Sequence, residues 1–242
     1  MSAADNVVEL HGLKVVLLPG AGVPAEARTY YESAYGVWKT VWKKTLFELD
    51  GSDRLYSDHF TRQDFHLTVF HGSRCVTAIS FRRVDLQSSA DLEDSWLKIW
   101  PQEILSSYKE TLKKGMMTSW FYVDPEYRRA DADNRLARLQ VSQRVTEMIS
   151  FLLIDLNADI IFGGVRNNRS VNKLIEPTGC KVVMPDVENH GVKVDLVTWL
   201  PVNVKPAVEH FSKLTHNLWA DRLVFESQPV NFSKPSLKKR AS

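Results

Sequence analysis

Apolar residues recur along the chain at two spacings, alternate positions and steps of three and four, and these divide it into strands and helices. Leu13-Lys14-Val15-Val16-Leu17-Leu18 is a short β-rich run stopped by Pro19-Gly20. Over residues 25–49, Tyr31, Ala34, Tyr35, Trp38, Val41, Trp42 and Leu46 share one broad face at helical steps, with Lys39, Lys43 and Lys44 opposite. Asp50-Gly51 ends that helix, and residues 52–63 are polar and predict a loop. Residues 64–70 and 75–82 read as strands around His71-Gly72-Ser73-Arg74, a hairpin signal.

Residues 85–94 predict a loop, and 96–112 are mixed, with Ile99, Trp100, Ile104, Leu105, Tyr108 and Leu112 at rough helical steps and Pro101 early. Residues 116–123 form the central strand. Strict alternation puts Met116, Thr118, Trp120 and Tyr122 on one face and Met117, Ser119, Phe121 and Val123 on the other, so the strand is covered on both sides. A helix over 134–157 turns Leu136, Leu139, Val145, Met148, Ile149, Leu152, Leu153 and Leu156 inward and Arg135, Arg138 and Arg144 outward, with Asp131, Asp133 or Asn134 as its cap. A strand at 160–165, a short helix cut by Pro177, and a hairpin of 180–184 with 192–200 around Asn189-His190-Gly191 follow. One helix over 206–219, an edge strand at Leu223-Val224-Phe225 and a disordered basic tail at 233–242 complete a single domain over 1–232 without internal repeats.

A chain of 242 residues that is 44% hydrophobic and 25% charged buries a sizeable core. Its net charge of +2, without an aromatic-basic ladder, argues against nucleic acid as a partner. No apolar run reaches transmembrane length and no secretory start is present, so a cytoplasmic location is expected. Cys75 and Cys180 stand alone, without Cys or His at zinc spacing, so no metal site is expected and both read as free thiols with no catalytic partner in sequence. Gly20-Ala21-Gly22-Val23-Pro24-Ala25 fits a dinucleotide fingerprint, yet Pro24 removes an N–H that a phosphate would use; the other reading is a loop. His66 faces away from Phe65 and Leu67, where a lone strand histidine is more often solvent-facing or satisfied than catalytic.

The richest stretch is 116–180. The central strand runs into Val123-Asp124-Pro125-Glu126-Tyr127-Arg128, and after the next strand Asn168, Val171, Ile175 and Gly179-Cys180 stand at spacings zero, three, seven and eleven. This order resembles the core of the GNAT-fold N-acyltransferase superfamily. The resemblance implies an α+β fold: a mixed, mostly antiparallel central sheet flanked by helices, here with an extra C-terminal helix. It implies an acyl donor lying along Phe121, Tyr122 and Val123, with Asn168 touching that donor. Arg128, Arg129 and Arg135 are candidates for an anion site, since guanidinium forks suit phosphate and acidic carrier surfaces. The family's glycine-rich phosphate loop reads Arg128-Arg129-Ala130-Asp131-Ala132-Asp133-Asn134 here, and Ile175 stands where the family has a tyrosine.

The implied activity is transfer of an acyl group from a thioester to an amine or amino acid. The co-substrate would be acyl-coenzyme A or acyl carrier protein, with no tightly bound cofactor. The departures in the loop favour a carrier or long-chain donor. Tyr35, Trp38 and Trp120 either pack as core or line an acceptor or acyl pocket. The sequence names no catalytic residue, and a catalytically inactive ligand- or protein-binding module on the same scaffold stays open as the alternative.

Overall fold

The computed structural model describes residues 12–128, 139–167 and 170–228. Arg129, Arg135, Asn168 and the tail over 233–242 lie outside the described residues.

One eight-stranded sheet organises the molecule. Its strands are β1 (Leu13–Pro19), β2 (Phe65–His71), β3 (Arg74–Asp85), β4 (Lys114–Val123), β5 (Ile160–Arg166), β6 (Lys181–Asn189), β7 (Val192–Trp199) and β8 (Leu223–Val224). They lie in the order β6-β7-β5-β4-β3-β2-β1-β8. Pairing is antiparallel except for β4 with β5 and β1 with β8. The helices are α1 (Arg28–Asp50), α2 (Asp58–Thr61), α3 (Ser89–Leu92), α4 (Gln102–Thr111), α5 (Val141–Asp155), α6 (Val171–Ile175), α7 (Pro201–Val208) and α8 (Lys213–Ala220). The fold is therefore α+β, with a mixed, mostly antiparallel sheet and flanking helices.

The apolar faces sort into layers. Val145, Met148, Ile149 and Leu152 of α5 pack with Leu67, Ile79, Ile161 and Val197 on one face of the sheet. On the other face Ala34, Trp38 and Val41 of α1 pack with Val16, Phe70 and Ala78. Beside them Trp100 and Leu105 pack over Met117, Ile160, Phe162 and Leu196. α1 ends at Gly51, whose φ of 73° lets its N–H reach the Phe47 carbonyl at 3.0 Å.

Several expectations are refined or corrected. The loop over 52–63 contains α2, which drives Phe60 fully into the core between Tyr31, Tyr35 and Trp38. The loop over 85–94 carries the one-turn α3, where Ser88 Oγ accepts the Asp91 N–H. The mixed stretch over 96–112 resolves into turns followed by α4 from Gln102, with Pro101 at its N-cap. The helix expected over 206–219 is two helices. Ser212 is extended and its Oγ accepts the Thr215 N–H, so a new N-terminus starts there. Leu156, expected inward, follows the end of α5 and is exposed, whereas Arg144, expected outward, is half-buried under α8.

That contact belongs to a second layer, which leaves α5 buried almost all round although it carries polar residues. Its outer face is covered by α7 and α8 and pinned by a polar network. Thr215 Oγ1 donates to Glu147 Oε2 at 2.6 Å, and Arg144 Nη1 donates to Ser212 Oγ at 2.8 Å and Thr215 Oγ1 at 3.2 Å. Glu147 is buried but satisfied, with Gln143 Nε2 2.9 Å from its second oxygen.

The glycine turn before α1 is occupied by the chain itself. Gln228 N–H donates to the Gly22 carbonyl at 2.7 Å, and Ser227 Oγ to the Ala21 carbonyl at 2.9 Å. A Cβ at Gly20 would lie 1.7 Å from the Gln63 carbonyl oxygen, so that glycine answers to a backbone crossing. Gly20→Ala is expected to lower unfolding free energy by about 2 kcal/mol or more in urea titration, as overpacking against fixed backbone does. An unchanged midpoint would remove the crossing as the reason for the glycine.

Candidate functional site

β4 carries one residue more than its partner β3. Ala78 lies opposite Tyr122 but Ser80 opposite Ser119, so β4 passes three residues while β3 passes two. The extra residue falls at Trp120, whose φ is 52°. For an aromatic residue inside a strand that is a sparsely populated conformation, costing about 1–3 kcal/mol. The bulge also breaks the strict alternation expected for this strand. Met116 faces α5 with Val123, whereas Trp120 and Tyr122 face α1.

Beyond the bulge, β4 and β5 separate. Their parallel pairing runs only from Gly115 with Ile160 to Thr118 with Gly163. β4 continues along β3 to Val123, and β5 continues along β7 to Arg166. A V-shaped cleft therefore opens between Ser119–Val123 and Gly164–Arg166. Gly163 sits at its apex, where a Cβ would come within 3.0–3.1 Å of Trp199 and Thr118.

The donor candidates Phe121, Tyr122 and Val123 line one edge of this cleft. Asp124 N–H donates to the Val76 carbonyl of β3 at 2.8 Å, so strand alternation turns the backbone of Val123 the opposite way, toward the cleft. The Val123 carbonyl accepts Arg128 Nε at 3.0 Å, which brings that arginine back onto the strand. The side chains divide. Phe121 packs toward α5, while Tyr122 is buried toward α1 and donates its hydroxyl to the Ala34 carbonyl at 2.9 Å. Burial raises the Tyr122 phenol well above its ordinary range, so its role is to tie α1 to β4.

The turn after β4 is fixed by charge. Arg74 bridges Asp124 Oδ2 and Glu126 Oε2, both at 2.6 Å. Asp124 Oδ1 also accepts the Glu126 N–H at 3.1 Å, and Tyr127 Oη lies 2.8 Å from His71 Nδ1. Across the cleft, Asp195 is buried within β7, opposite Val165 of β5. Its oxygens take Asn167 Nδ2 at 2.8 Å, the Asp186 N–H at 3.0 Å and Asn172 Nδ2 at 3.4 Å, which sets the exit of β5 and the entry to α6. Sequence reading passed over Asp195, although an acid inside Val192-Lys193-Val194-Asp195-Leu196-Val197 was a usable signal. Ile175 is buried in the α5 core and offers no proton.

On the α1 side of the bulge the rings converge. The Trp120 ring lies 4.7 Å from Trp42, 4.8 Å from His59, 5.8 Å from Trp96 and 5.9 Å from Trp38, centroid to centroid. Tyr35 stacks on Trp38 at 5.7 Å. The three pocket candidates Tyr35, Trp38 and Trp120 are thus one cluster, joined by Trp42, Trp96 and His59. Trp96 and His59 come from the segments expected to be irregular or mixed, and only their proximity in the fold reveals them.

The deeply buried titratable groups are poor acids or bases. His66 is fully buried, stacked 3.9 Å from Phe60, with Ser80 Oγ 2.9 Å from Nδ1. Burial lowers its pKa to about 3, so it is neutral near pH 7, buried rather than solvent-facing. Burial pushes the thiols of Cys75 and Cys180 up to about 12, far from thiolate chemistry. Among the described residues no group of three or more His, Cys, Asp or Glu is placed to hold a metal, and no helix is long and apolar enough to cross a membrane.

No protein-family model matches the chain, and no curated protein sequence does. Solved structures do match. An N-acyl amino acid synthase, FeeM, from uncultured soil microbes aligns at 12% identity and a TM-score of 0.52, over 81% of this chain and 93% of its own. A coenzyme A-dependent acyl-homoserine lactone synthase, BjaI, with SAM and isopentyl-CoA aligns at 10% identity and a TM-score of 0.54, over 91% and 96%. The acyl-homoserine lactone synthase LasI aligns at 9% identity and 0.53, over 88% and 97%. At these identities the likeness concerns the fold, and the fold is that of the GNAT acyltransferases.

The His66 shift has a signed consequence. The unfolded imidazole binds protons below about pH 6.5 and the folded one only near 3, so its contribution is complete above 6.5 and is lost as pH falls. The slope is about 1.4 kcal/mol per pH unit within that window. Urea unfolding of wild type and His66→Phe across the window should give a difference that narrows toward low pH. Parallel curves would contradict a neutral buried imidazole.

Proposed function

We propose that the protein is an N-acyltransferase that moves an acyl group from a thioester to the amine of a small molecule or amino acid. The observation that carries this reading is the parting of β4 from β5 beyond Thr118 and Gly163. A strand edge whose neighbour has withdrawn presents backbone donors and acceptors that must find partners. The amide-bearing pantetheine arm of coenzyme A or of an acyl carrier protein has the chemistry to supply them, lying along Phe121, Tyr122 and Val123. The likeness to an N-acyl amino acid synthase and to acyl-homoserine lactone synthases supports the same choice.

In this reading the acceptor reaches the thioester from the Trp38–Trp120 side. Its nitrogen lone pair attacks the thioester carbonyl carbon, and a cleft-facing backbone N–H near Val123 stabilises the oxyanion. The intermediate collapses with cleavage of the C–S bond. The thiolate leaves with the electron pair, and the proton lost by nitrogen ends on sulfur or solvent. Alignment of the two reactants is the main contribution asked of the protein. A carrier or long-chain donor fits the loop without glycines, since a carrier brings no adenine nucleotide to bind. Arg128, with Arg129 and Arg135, would then meet the donor's phosphate or the acidic carrier surface.

Native mass spectrometry of the full chain with coenzyme A, a long-chain acyl-coenzyme A and an acyl carrier protein tests the donor. Product mass analysis with an amine panel tests the transfer. One thioester complex, weakened at least about tenfold in Arg128→Ala/Arg129→Ala with an unchanged circular dichroism spectrum, is expected for two charge-assisted contacts. Absence of both complex and N-acyl product would overturn the reading and leave a binding module on the same scaffold.

A further inference from the structure

The closing pair of the β2–β3 hairpin reaches across to the turn that follows β4. His71 and Arg74 face each other where the hairpin closes. His71 Nδ1 lies 2.8 Å from Tyr127 Oη. Arg74 spans the two acids of the turn, with Nη2 on Asp124 Oδ2 and Nη1 on Glu126 Oε2, both at 2.6 Å. Within the turn, Asp124 Oδ1 accepts the Glu126 N–H at 3.1 Å, and Arg128 Nε donates to the Val123 carbonyl at 3.0 Å. The hairpin tip thus grips the segment that continues the cleft edge, although Arg74 lies far outside the Val123-to-Arg128 motif in sequence.

Folding alone calls for one of the two Arg74 contacts. Asp124 is 1% exposed, and a carboxylate at that depth needs a cation and hydrogen bonds. Glu126 is different. Its side chain is 60% exposed and water would solvate it, so its contact with Arg74 adds little stability. What the contact changes is the charge at the end of β4. The turn by itself sets two carboxylates, Asp124 and Glu126, against the single guanidinium of Arg128. Arg74 engages both carboxylates and brings the balance to zero. An anion approaching the end of β4 then meets Arg128 without a surplus of negative charge beside it. Within about 10 Å physiological salt screens such a surplus only in part.

We propose that Arg74 sets the donor specificity of this turn as a positioning residue, acting through Asp124 and Glu126. By cancelling their charge it lets the end of β4 take the phosphate-bearing arm of a pantetheine thioester in preference to the same thioester without phosphate. The inference rests on the acyltransferase reading for the identity of the donor. It is tested by equilibrium binding and requires no turnover.

Three probes carry one long acyl chain: acyl-coenzyme A, acyl carrier protein and S-acyl-pantetheine. The first two bear phosphate on the arm and the third bears none. Binding to the full chain is followed by calorimetry at low and at physiological salt. Wild type should prefer a phosphate-bearing probe, which also names the donor class, and the preference should shrink as salt rises. Arg74→Gln should cut the preference about tenfold, the effect of one unit charge about 10 Å from the ligand at an effective dielectric constant near 20. Arg74→Lys keeps the charge and should retain most of it. Glu126→Gln removes a carboxylate and should raise it. S-acyl-pantetheine should bind all four proteins alike.

Glu126→Gln leaves Asp124 paired with Arg74, so it reads the charge balance even where Arg74→Gln fails to fold. No preference for phosphate in wild type, or equal loss of all probes in Arg74→Gln with no gain in Glu126→Gln, would overturn the inference and leave Arg74 as a structural partner of Asp124. The acyltransferase reading would survive that result. Binding of no thioester by wild type would remove both.

Discussion

The architecture depends on one surplus residue in β4. An antiparallel ladder with β3 holds on both sides of Trp120, so the extra residue has to be absorbed locally, and it is absorbed as a left-handed backbone at an indole. The bulge twists the end of β4 toward β3 and away from β5, which stays with β7. Cleft, strained residue and aromatic cluster thus share one cause. The strain, about 1–3 kcal/mol, is offset by the area that the Trp120 ring buries among Trp38, Trp42 and Trp96. The same packing prevents β4 from relaxing into a regular strand, which would carry Trp120 out of the cluster.

Both edges of the cleft are braced by polar groups, of which Asp124 and Asp195 are buried. On the β4 side the Arg74 guanidinium holds Asp124 and Glu126, and Arg128 returns to the Val123 carbonyl. On the β5 side Asp195 collects Asn167, Asn172 and the Asp186 backbone. Farther out, Glu147 and Arg144 lock α5 to α8, so the helix beneath the cleft is sealed on its outer face. Buried charges of this kind add little net stability when paired but cost much when a partner is lost. Their effect here is to fix geometry: two diverging strand ends are held apart by partners that neither strand supplies alone.

The sequence made the sheet legible because period-two and period-3.6 patterns survive wherever one face is buried. It located all eight strands and the aromatic face of α1. It failed where tertiary contact overrides local pattern. Phe60 sits among polar residues yet is fully buried, because α1 and β2 leave a space that its ring fills. The glycine turn at Gly20 and Gly22 looked like a phosphate loop, whereas its glycines admit Gln63 and Gln228, partners about 40 and 200 residues away that no local motif announces. The bulge was invisible because Trp and Phe favour strands on propensity, and nothing in Ser119-Trp120-Phe121 signals a positive φ. The strand carrying the candidate site was therefore recognised, while the feature that makes it a site was not.

What the site offers chemically is set by what its buried groups have already committed. His66 is held neutral, the phenol of Tyr122 is tied to Ala34, both thiols are raised far out of the thiolate range, and Asp124 and Asp195 are engaged on opposite edges. Tyr122, Asp124 and Asp195 are thereby committed to holding the strands that border the cleft. A site so arranged favours reactions whose barrier is mainly one of bringing partners together, and aminolysis of a thioester is such a reaction once the amine is neutral. The strained tryptophan joins the two halves of the proposed chemistry. In that proposal its backbone opens the cleft to a donor, and its ring lies on the side from which an acceptor would come.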